Sequence, residues 1–364
     1  MNIAILTPNQ NPYSETFIQA HKNHLNGKIF YYYGTGVGMQ LEGYGALVSN
    51  WKRLYLRLIC KLLKKPSSYM RDRMLLNSFK RHRIEAVLVE YGTHAHALRA
   101  ALLESGLPVV THFHGYDASM TNVIERCNNY QEVFALSKKV IAVSKAMEAT
   151  LLDLGCPEDQ LVYNVYGPRP MFGAVTPSYD KKQFISIGRF TDKKAPYYTI
   201  LAFKAVLDKH PDALLIMAGD GILLNSCKHL VKHFSIERSV HFVGVIESDV
   251  YCDYLKTSLA FVQHSVTADN GDMEGTPLAV LEASAAGLPV ISTYHAGIPD
   301  VIIHEKTGLL CQEHDVATMT SHMLSVLDDV AYAKQLGMAG KVRVAECFSL
   351  ERHIQVLQAL LEAT

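Results

Sequence analysis

Short apolar runs rich in β-branched residues alternate with segments of helical periodicity along the whole chain, which predicts parallel α/β layers. In the first half, the predicted strands are Asn2–Thr7, Lys28–Tyr33, Ala86–Tyr91, Val109–His114, Val140–Ser144 and Leu161–Tyr166. In the second half, they are Phe184–Gly188, Ala213–Ala218, Val240–Gly244, Leu259–His264, Val290–Thr293 and Gly308–Cys311. Each set predicts a doubly wound sheet of its own.

A stretch without periodicity separates the two sets of strands. It contains Gly167-Pro168-Arg169-Pro170 and continues to Tyr179, a composition typical of an interdomain linker. We therefore predict an N-terminal domain over residues 1–170 and a C-terminal domain over residues 171–348. Residues 349–364 are predicted to form a helix that returns to the N-terminal domain. Two such sheets predict a ligand cleft at the carboxyl ends of their strands.

Composition narrows the class of protein. The 364 residues are 49% apolar, which excludes a disordered chain, and 35 basic side chains balance 35 acidic ones, which argues against a general nucleic-acid binder. Seven cysteines without a C-x-x-C pair suggest neither a disulfide framework nor a thiolate zinc site. Without a secretory signal or an apolar run of about 18 residues, we expect a cytoplasmic protein.

The formal net charge of zero is the sum of a basic first half and an acidic second half. Residues 1–170 carry 19 basic and 13 acidic side chains, and residues 171–364 carry 16 and 22. The basic excess is concentrated in residues 51–83, with 11 basic residues and one acid, Asp72. Residues 51–64 have the spacing of a basic amphipathic helix, which predicts either contact with an anionic inner membrane face or packing on the N-terminal sheet with a solvated basic face.

The segment from Glu274 to Glu282 is the most informative in the chain. Thr276 is a plausible N-cap and Pro277 suits a first helical position, so we expect a helix that ends at Gly287. A helix N-terminus favours a phosphate group, whereas the two carboxylates favour neutral hydroxyls of a sugar and a ribose. The alternative is an ordinary helix with one glutamate in its capping region and one solvated glutamate.

Two cations follow the predicted strand that ends at Gly188. Arg189 and Lys194 are suited to neutralise a diphosphate, the first as a planar fork and the second as a point charge. The alternative is a solvated Asp-Lys-Lys turn. No D-x-D triplet occurs in the sequence, so we expect no metal ion.

The N-terminal half has a candidate histidine. The segment Thr111-His112-Phe113-His114-Gly115-Tyr116-Asp117 follows an apolar strand, and His112 is expected to pack on the same side as His114. Such a histidine can hydrogen-bond a sugar hydroxyl or the reacting centre. A structural role is the alternative for any single histidine. The glycines of residues 34–38 lack dinucleotide-binding spacing, so they predict a mobile acceptor loop.

Taken together, these motifs resemble those of the retaining family 4 glycosyltransferases, which have the GT-B fold. The C-terminal ones occur in the order of that family. They are Gly188, Arg189 and Lys194; Ala218–Gly221; Val240–Val245; Glu274 and Glu282; Ala296–Asp300; and Thr307-Gly308. Ser14–Ile18 and Ser265–Asp272 further resemble enzymes of bacterial exopolysaccharide and lipopolysaccharide assembly.

The resemblance implies two Rossmann-like domains facing across a cleft, and a role for each matching residue. Arg189 and Lys194 would hold the donor diphosphate, Glu282 the ribose and Glu274 a hydroxyl of the transferred sugar. His114 would join Glu274 in the catalytic site. The donor would also contact Gly275, Thr276, Pro277, Leu278 and Val245. Ala195 and Ala296 depart from the pattern, since glycine is common at both positions in the family.

The resulting expectation is a metal-independent, retaining hexosyltransferase without a cofactor. Its co-substrate would be a nucleotide diphosphate sugar, and its acceptor a glycan that we expect to be carried on a lipid. A nucleotide-sugar epimerase of the same fold and a non-catalytic glycan-binding protein are the alternatives.

Overall fold

The computed structural model describes residues 1–10, 15–48, 60, 62, 64, 66 and 68–363. Its contacts divide the chain into two compact units. Unit 1 comprises residues 1–143, 147–164 and 354–364, and unit 2 comprises residues 144–146 and 165–353. The predicted amphipathic helix of residues 51–64 lies largely outside the described residues.

The strands of unit 1 form one sheet whose order is β4-β3-β2-β1-β5-β6-β7-β8. These strands are β1 Asn2–Thr7, β2 Lys28–Tyr33, β3 Gln40–Leu41, β4 Gly45–Ala46, β5 Ala86–Glu90, β6 Val109–His112, β7 Lys139–Ala142 and β8 Leu161–Tyr163. Pairing is parallel from β2 to β8 and antiparallel at the β3 and β4 edge. The predicted loop at Gly34–Gly38 leads into this edge through a single 3₁₀ turn.

The strands of unit 2 form a wholly parallel sheet whose order is β11-β10-β9-β12-β13-β14. These strands are β9 Gln183–Ile187, β10 Leu214–Ala218, β11 Val240–Gly244, β12 Ala260–Val262, β13 Val290–Thr293 and β14 Gly308–Cys311. Chain order reverses between β9 and β12. Ligands of open parallel sheets bind at the carboxyl ends of strands at such a reversal.

Helices connect the strands in both units. The α-helices are α1 Thr16–His24, α2 Ser68–His82, α3 Gly92–Ser105, α4 Tyr116–Ser119, α5 Thr121–Arg126, α6 Gln131–Leu136, α7 Lys145–Asp153, α8 Pro170–Gly173, α9 Pro196–Leu207, α10 Leu224–His233, α11 Ser248–Thr257, α12 Leu278–Ala286, α13 Ile298–Val301, α14 Val316–Asp328, α15 Val330–Cys347 and α16 Leu350–Glu362. Among the described residues, no helix is both long and apolar enough to span a membrane.

The cores explain why the strand predictions succeeded. β5 is buried over all five of its residues, as expected for a strand covered on both faces. In unit 2, Phe184, Ile291 and Val326 belong to one continuous apolar cluster between the sheet and its helices. At the chain's end, the side-chain oxygen of Gln358 accepts a hydrogen bond from the backbone N–H of Asn26 at 2.9 Å.

Candidate active site

The start of α12 differs from the prediction. Thr276 does not cap the helix. Pro277 is the N-cap residue with extended backbone, no side chain caps the helix, and the first helical residue is Leu278. Thr276 is buried instead. The predicted end is confirmed, since Gly287 closes the helix in the left-handed conformation with φ 91°.

Thr276 is buried because the motif at Ala296-Gly297 packs directly against this loop. The N–H of Gly297 donates to the carbonyl of Gly275 at 2.9 Å. A Cβ at Gly297 would overlap the side chain of Thr276, so only glycine fits there. Gly297 therefore holds in place the loop that carries Glu274.

Arg189 and Lys194 converge at the reversal between β9 and β12. They line one small pocket together with Gln263, which follows β12. The Lys194 ammonium lies 3.2 Å from Oε2 of Glu274 and 3.4 Å from the side-chain oxygen of Gln263. The structure thus brings the predicted diphosphate-binding lysine next to the predicted sugar-binding carboxylate.

Burial and pairing set the charges of this pair. Burial lowers the pKa of Lys194, and Glu274 partly opposes that shift. Burial alone would raise the pKa of Glu274, but Lys194, Lys193 and His295 lower it below its ordinary value. Glu274 is therefore ionised at neutral pH. Its second oxygen, Oε1, is buried and has no hydrogen-bond partner among the described residues.

The interpretation of residues 192–194 as a solvated turn is wrong for both lysines. The Lys193 ammonium donates to a carboxylate oxygen of Asp272 at 2.8 Å and to the carbonyl of Met273 at 2.9 Å. Lys193 is 6% exposed. It ties the turn after β9 to the loop that leads into Glu274, whereas Arg189 is exposed.

Two positions where the family commonly has glycine need an unusual backbone. Ala195 has φ 36° and Ala296 has φ 45°, both in the left-handed region. A non-glycine residue in this region carries a cost of about 1–3 kcal/mol. Both turns therefore adopt the left-handed backbone conformation, although alanine stands where the family commonly has glycine.

Glu282 lies on the second turn of α12 and is partly buried. Burial raises its pKa to about 7, although Arg169 and Lys194 act in the opposite direction. Arg169, which lies in the predicted linker, hydrogen-bonds Ser248 and stacks over the ring of Phe172. Val245 follows β11 and is 62% exposed.

His114 belongs to a buried cluster in unit 1. Its Nε2 lies 2.9 Å from Oε2 of Glu90, the last residue of β5. Nδ1 of His21 lies 2.7 Å from Oε1 of the same carboxylate, and Nδ1 of His112 lies 3.2 Å from Oε2. The prediction that His112 and His114 share one side is confirmed, with ring centroids 4.3 Å apart.

Glu90 carries a negative charge in this cluster. Burial would raise the pKa of Glu90, but His21 and hydrogen bonds from His112 and His114 lower it well below its ordinary value. Burial lowers the pKa of His114 and lowers that of His112 to about 3. A carboxylate only accepts hydrogen bonds, so the proton of the neutral His114 ring lies on Nε2.

The cluster has a second geometric property. Ligand atoms of His21, Glu90 and His112 lie within 4.8 Å of one another, a grouping that occurs once in the described part of the chain. They contact one another at hydrogen-bonding distances. The arrangement orients His114 through direct contacts between side chains.

The segment from His114 to Asp117 is held by the side chain of its last residue. One oxygen of Asp117 accepts a hydrogen bond from the backbone N–H of His114 at 2.7 Å, and the other accepts from the N–H of Gly92 at 2.7 Å. Asp117 thus joins the segment after β6 to the start of α3 and holds His114 in place.

Both halves of the chain match known protein families. The family described as "Glycosyl transferases group 1" matches residues 172–343, and the "Glycosyltransferase Family 4" family matches residues 37–164. The two matches do not overlap and together cover most of the sequence.

The chain belongs to the family 4 glycosyltransferases. The putative colanic acid biosynthesis glycosyltransferase WcaL of Escherichia coli is 28% identical over 342 residues, covering 90% of this chain and 78% of the relative. The amylovoran biosynthesis glycosyltransferase AmsK of Erwinia amylovora is 28% identical over 257 residues, covering 70% of this chain but only 63% of the relative.

A solved structure supports the fold of this glycosyltransferase. HepE of Anabaena, crystallised with UDP, matches with a TM-score of 0.78 and 14% identity, and the match covers 100% of both chains. The fold is GT-B, with two Rossmann-like α/β domains.

Several residues of the histidine cluster in unit 1 and of the Glu274 region in unit 2 were missed by sequence reasoning. They are His21, Glu90, Lys193, Gln263, His295 and Glu313. Each acts through contacts with residues distant in sequence. Among them only Glu90 carried a local signal, because a glutamate ends an otherwise apolar strand.

Proposed function

We propose that this glycosyltransferase moves a hexose from a nucleoside diphosphate sugar to a glycan acceptor carried on a lipid, in the synthesis of a cell-surface polysaccharide. The observation that supports it most is the pair of Lys194 and Glu274 at the strand reversal of unit 2. A cation suited to a diphosphate lies beside a carboxylate whose Oε1 has no hydrogen-bond partner among the described residues. The names of the colanic acid and amylovoran relatives support the polysaccharide role.

The proposed chemistry depends on stabilising the leaving diphosphate. Negative charge grows on the leaving group as the bond to the sugar breaks, and Arg189 and Lys194 would offset it. The backbone of Gly275 to Leu278 would approach the sugar and phosphate, Glu282 would accept from the ribose, and Val245 would contact the base. Glu274 and His114 would position the reacting sugar.

Three finer features belong to the same proposal. Retention of the anomeric configuration follows from the resemblance to retaining family members. Independence of metal ions follows from the cations that the chain itself supplies and from the lack of a D-x-D triplet in the sequence. No further cofactor is required by this chemistry.

The decisive experiment is a thermal-shift screen against nucleoside diphosphates and their sugars. Uridine compounds come first, because the HepE structure holds UDP. We expect one base to raise the melting temperature, and the matching donor to support transfer to a lipid-linked glycan in the presence of EDTA. A donor that is converted to an epimer without an acceptor would indicate the epimerase instead. Binding without transfer or epimerisation would indicate a glycan-binding protein.

We also propose that the basic segment of residues 51–83 contacts an anionic membrane surface at the cytoplasmic face. The described part of this segment exposes Lys80, Arg81 and Arg83 at the end of α2 and just after it. Arg71 does not contribute, because it is buried and bonded to Asp72 at 2.8 Å. Each exposed cation near such a surface contributes about 1 kcal/mol.

Vesicle flotation tests this membrane contact. Binding should require anionic lipid and should weaken about 100-fold when Lys80, Arg81 and Arg83 are all replaced by glutamine. The control is Lys256→Gln, an exposed cation of unit 2 that pairs with Asp253. Equal flotation with neutral and anionic vesicles would contradict the proposal.

A further inference from the structure

Two residues without an assigned role, His295 and Glu313, bracket the loop that carries Glu274. His295 follows β13 and is 1% exposed, and Glu313 follows β14. Nδ1 of His295 lies 2.6 Å from Oε1 of Glu313. Nε2 of His295 accepts a hydrogen bond from the backbone N–H of Glu274 at 3.1 Å.

These contacts define the tautomer of the ring. A carboxylate can only accept, and a backbone N–H can only donate. The proton of His295 must therefore lie on Nδ1, where it faces Glu313, and Nε2 must carry a lone pair toward Glu274. Glu313 fixes the tautomer that holds the Glu274 backbone.

Glu313 also holds the beginning of the same loop. Its Oε2 accepts from the backbone N–H of Thr267 at 2.8 Å. Burial would raise the pKa of Glu313, but hydrogen bonds from Thr267 and His295 lower it, so the carboxylate stays charged. One carboxylate thus ties together both ends of the loop from Thr267 to Glu274.

The orientation of the Glu274 side chain depends on this support. Its carboxylate must stay within reach of Lys194 while Oε1 remains available to a ligand hydroxyl. Misplacement of a positioning group by about 1 Å can cost about 100-fold in rate. The hydrogen bond from the Glu274 backbone to His295 limits such movement of the Glu274 side chain.

We propose that His295, oriented by Glu313, is a positioning residue that holds Glu274 in place for the transferred sugar. The inference rests on the function proposed above. It differs from the roles of Arg189, Lys194 and Glu282, because it acts on the sugar side of the donor and only through Glu274.

Two substitutions at one position separate this role from a purely structural one. The side-chain oxygen of glutamine can take the place of Nε2, whereas asparagine is too short to reach Glu274. We therefore expect His295→Gln to retain most activity. His295→Asn should lower kcat/KM for the donor about 10-fold to 100-fold, with affinity for the free nucleoside diphosphate changed less than about threefold.

A matched control is available in the same unit. Nδ1 of His304 accepts a hydrogen bond from the backbone N–H of Leu310 at 3.0 Å, so this ring also holds a backbone amide, through its other nitrogen and away from Glu274. His304→Asn should leave donor kinetics unchanged. Glu313→Gln, which keeps the shape but removes the charge, serves as a second variant if His295→Asn fails to fold, with an expected loss of about threefold to tenfold in kcat/KM.

Hydrogen exchange at the Glu274 amide gives a readout that needs no substrate. The amide should be protected in the wild type, in His295→Gln and in His304→Asn, and should exchange faster in His295→Asn. Unchanged protection in His295→Asn would overturn the contact. Faster exchange with unchanged kcat/KM would overturn the positioning role. If the exchange pattern is as expected but no donor supports transfer, the proposed function fails, while the contact between His295 and the Glu274 backbone is confirmed.

Discussion

Replacement of Lys194 by methionine is expected to lower turnover by about 10²-fold to 10³-fold, the loss typical of removing one group that stabilises developing charge. Methionine keeps much of the side-chain length but removes the cation 3.2 Å from Glu274. The buried carboxylate would lose the partner that lowers its pKa. Transfer rates measured at saturating donor test this expectation.

The matched control for this substitution is Lys182→Met. Lys182 immediately precedes β9, whereas Lys194 lies beyond its other end. The Lys182 ammonium pairs with Asp212 at 3.0 Å, and the Lys182 side chain is 44% exposed. Turnover should be unchanged in this variant. Near-normal turnover of Lys194→Met would contradict the assignment of the diphosphate site, and the companion Arg189→Ala variant should then also be active.

Donor affinity is expected to fall about tenfold from pH 8 to pH 6, because the pKa of Glu282 is raised to about 7. Above that pKa the carboxylate is ionised, and in the proposed site it would accept hydrogen bonds from ribose hydroxyls. As the pH falls through the pKa, the side chain gains a proton and this acceptor capacity weakens. Calorimetric titration across this range measures the effect.

The ligand and the control variant for this titration follow from the chemistry. A nucleoside diphosphate sugar is the suitable ligand, since its diphosphate diester does not titrate near neutral pH. Glu282→Gln should bind more weakly at pH 8 and show no change with pH. A pH dependence that persists in Glu282→Gln would show that another group is responsible.

Much of the fold could be predicted because most of its strands are largely buried. Asn2–Thr7, Lys28–Tyr33 and Val290–Thr293 are found with the predicted bounds. The β3 and β4 edge was missed, since two-residue strands near glycines carry no periodicity. The cap at Thr276 was wrong because packing against Gly297, which is distant in sequence, buries the threonine.

The candidate site could be predicted only where its motifs are local. Arg189 and Lys194 follow one strand, so their proximity was foreseeable. The contact of Glu274 with His295, and that of Lys193 with Asp272, join separate loops. Such contacts depend on strand order, because it brings the ends of β9, β12, β13 and β14 to one edge of the sheet. Hydrophobic periodicity does not specify strand order.

The pairing of Lys194 with Glu274 has a consequence for ligand discrimination. In the absence of a donor, the lysine is already neutralised by its neighbour, so a simple phosphate gains little by approaching it. In the proposed complex, a nucleoside diphosphate sugar would offer an anion to the lysine and a hydroxyl to the carboxylate at once, and each of these contacts would replace the one between the two side chains. The site would therefore favour a ligand that supplies both an anion and a hydroxyl, and it would discriminate against inorganic phosphate without any steric barrier.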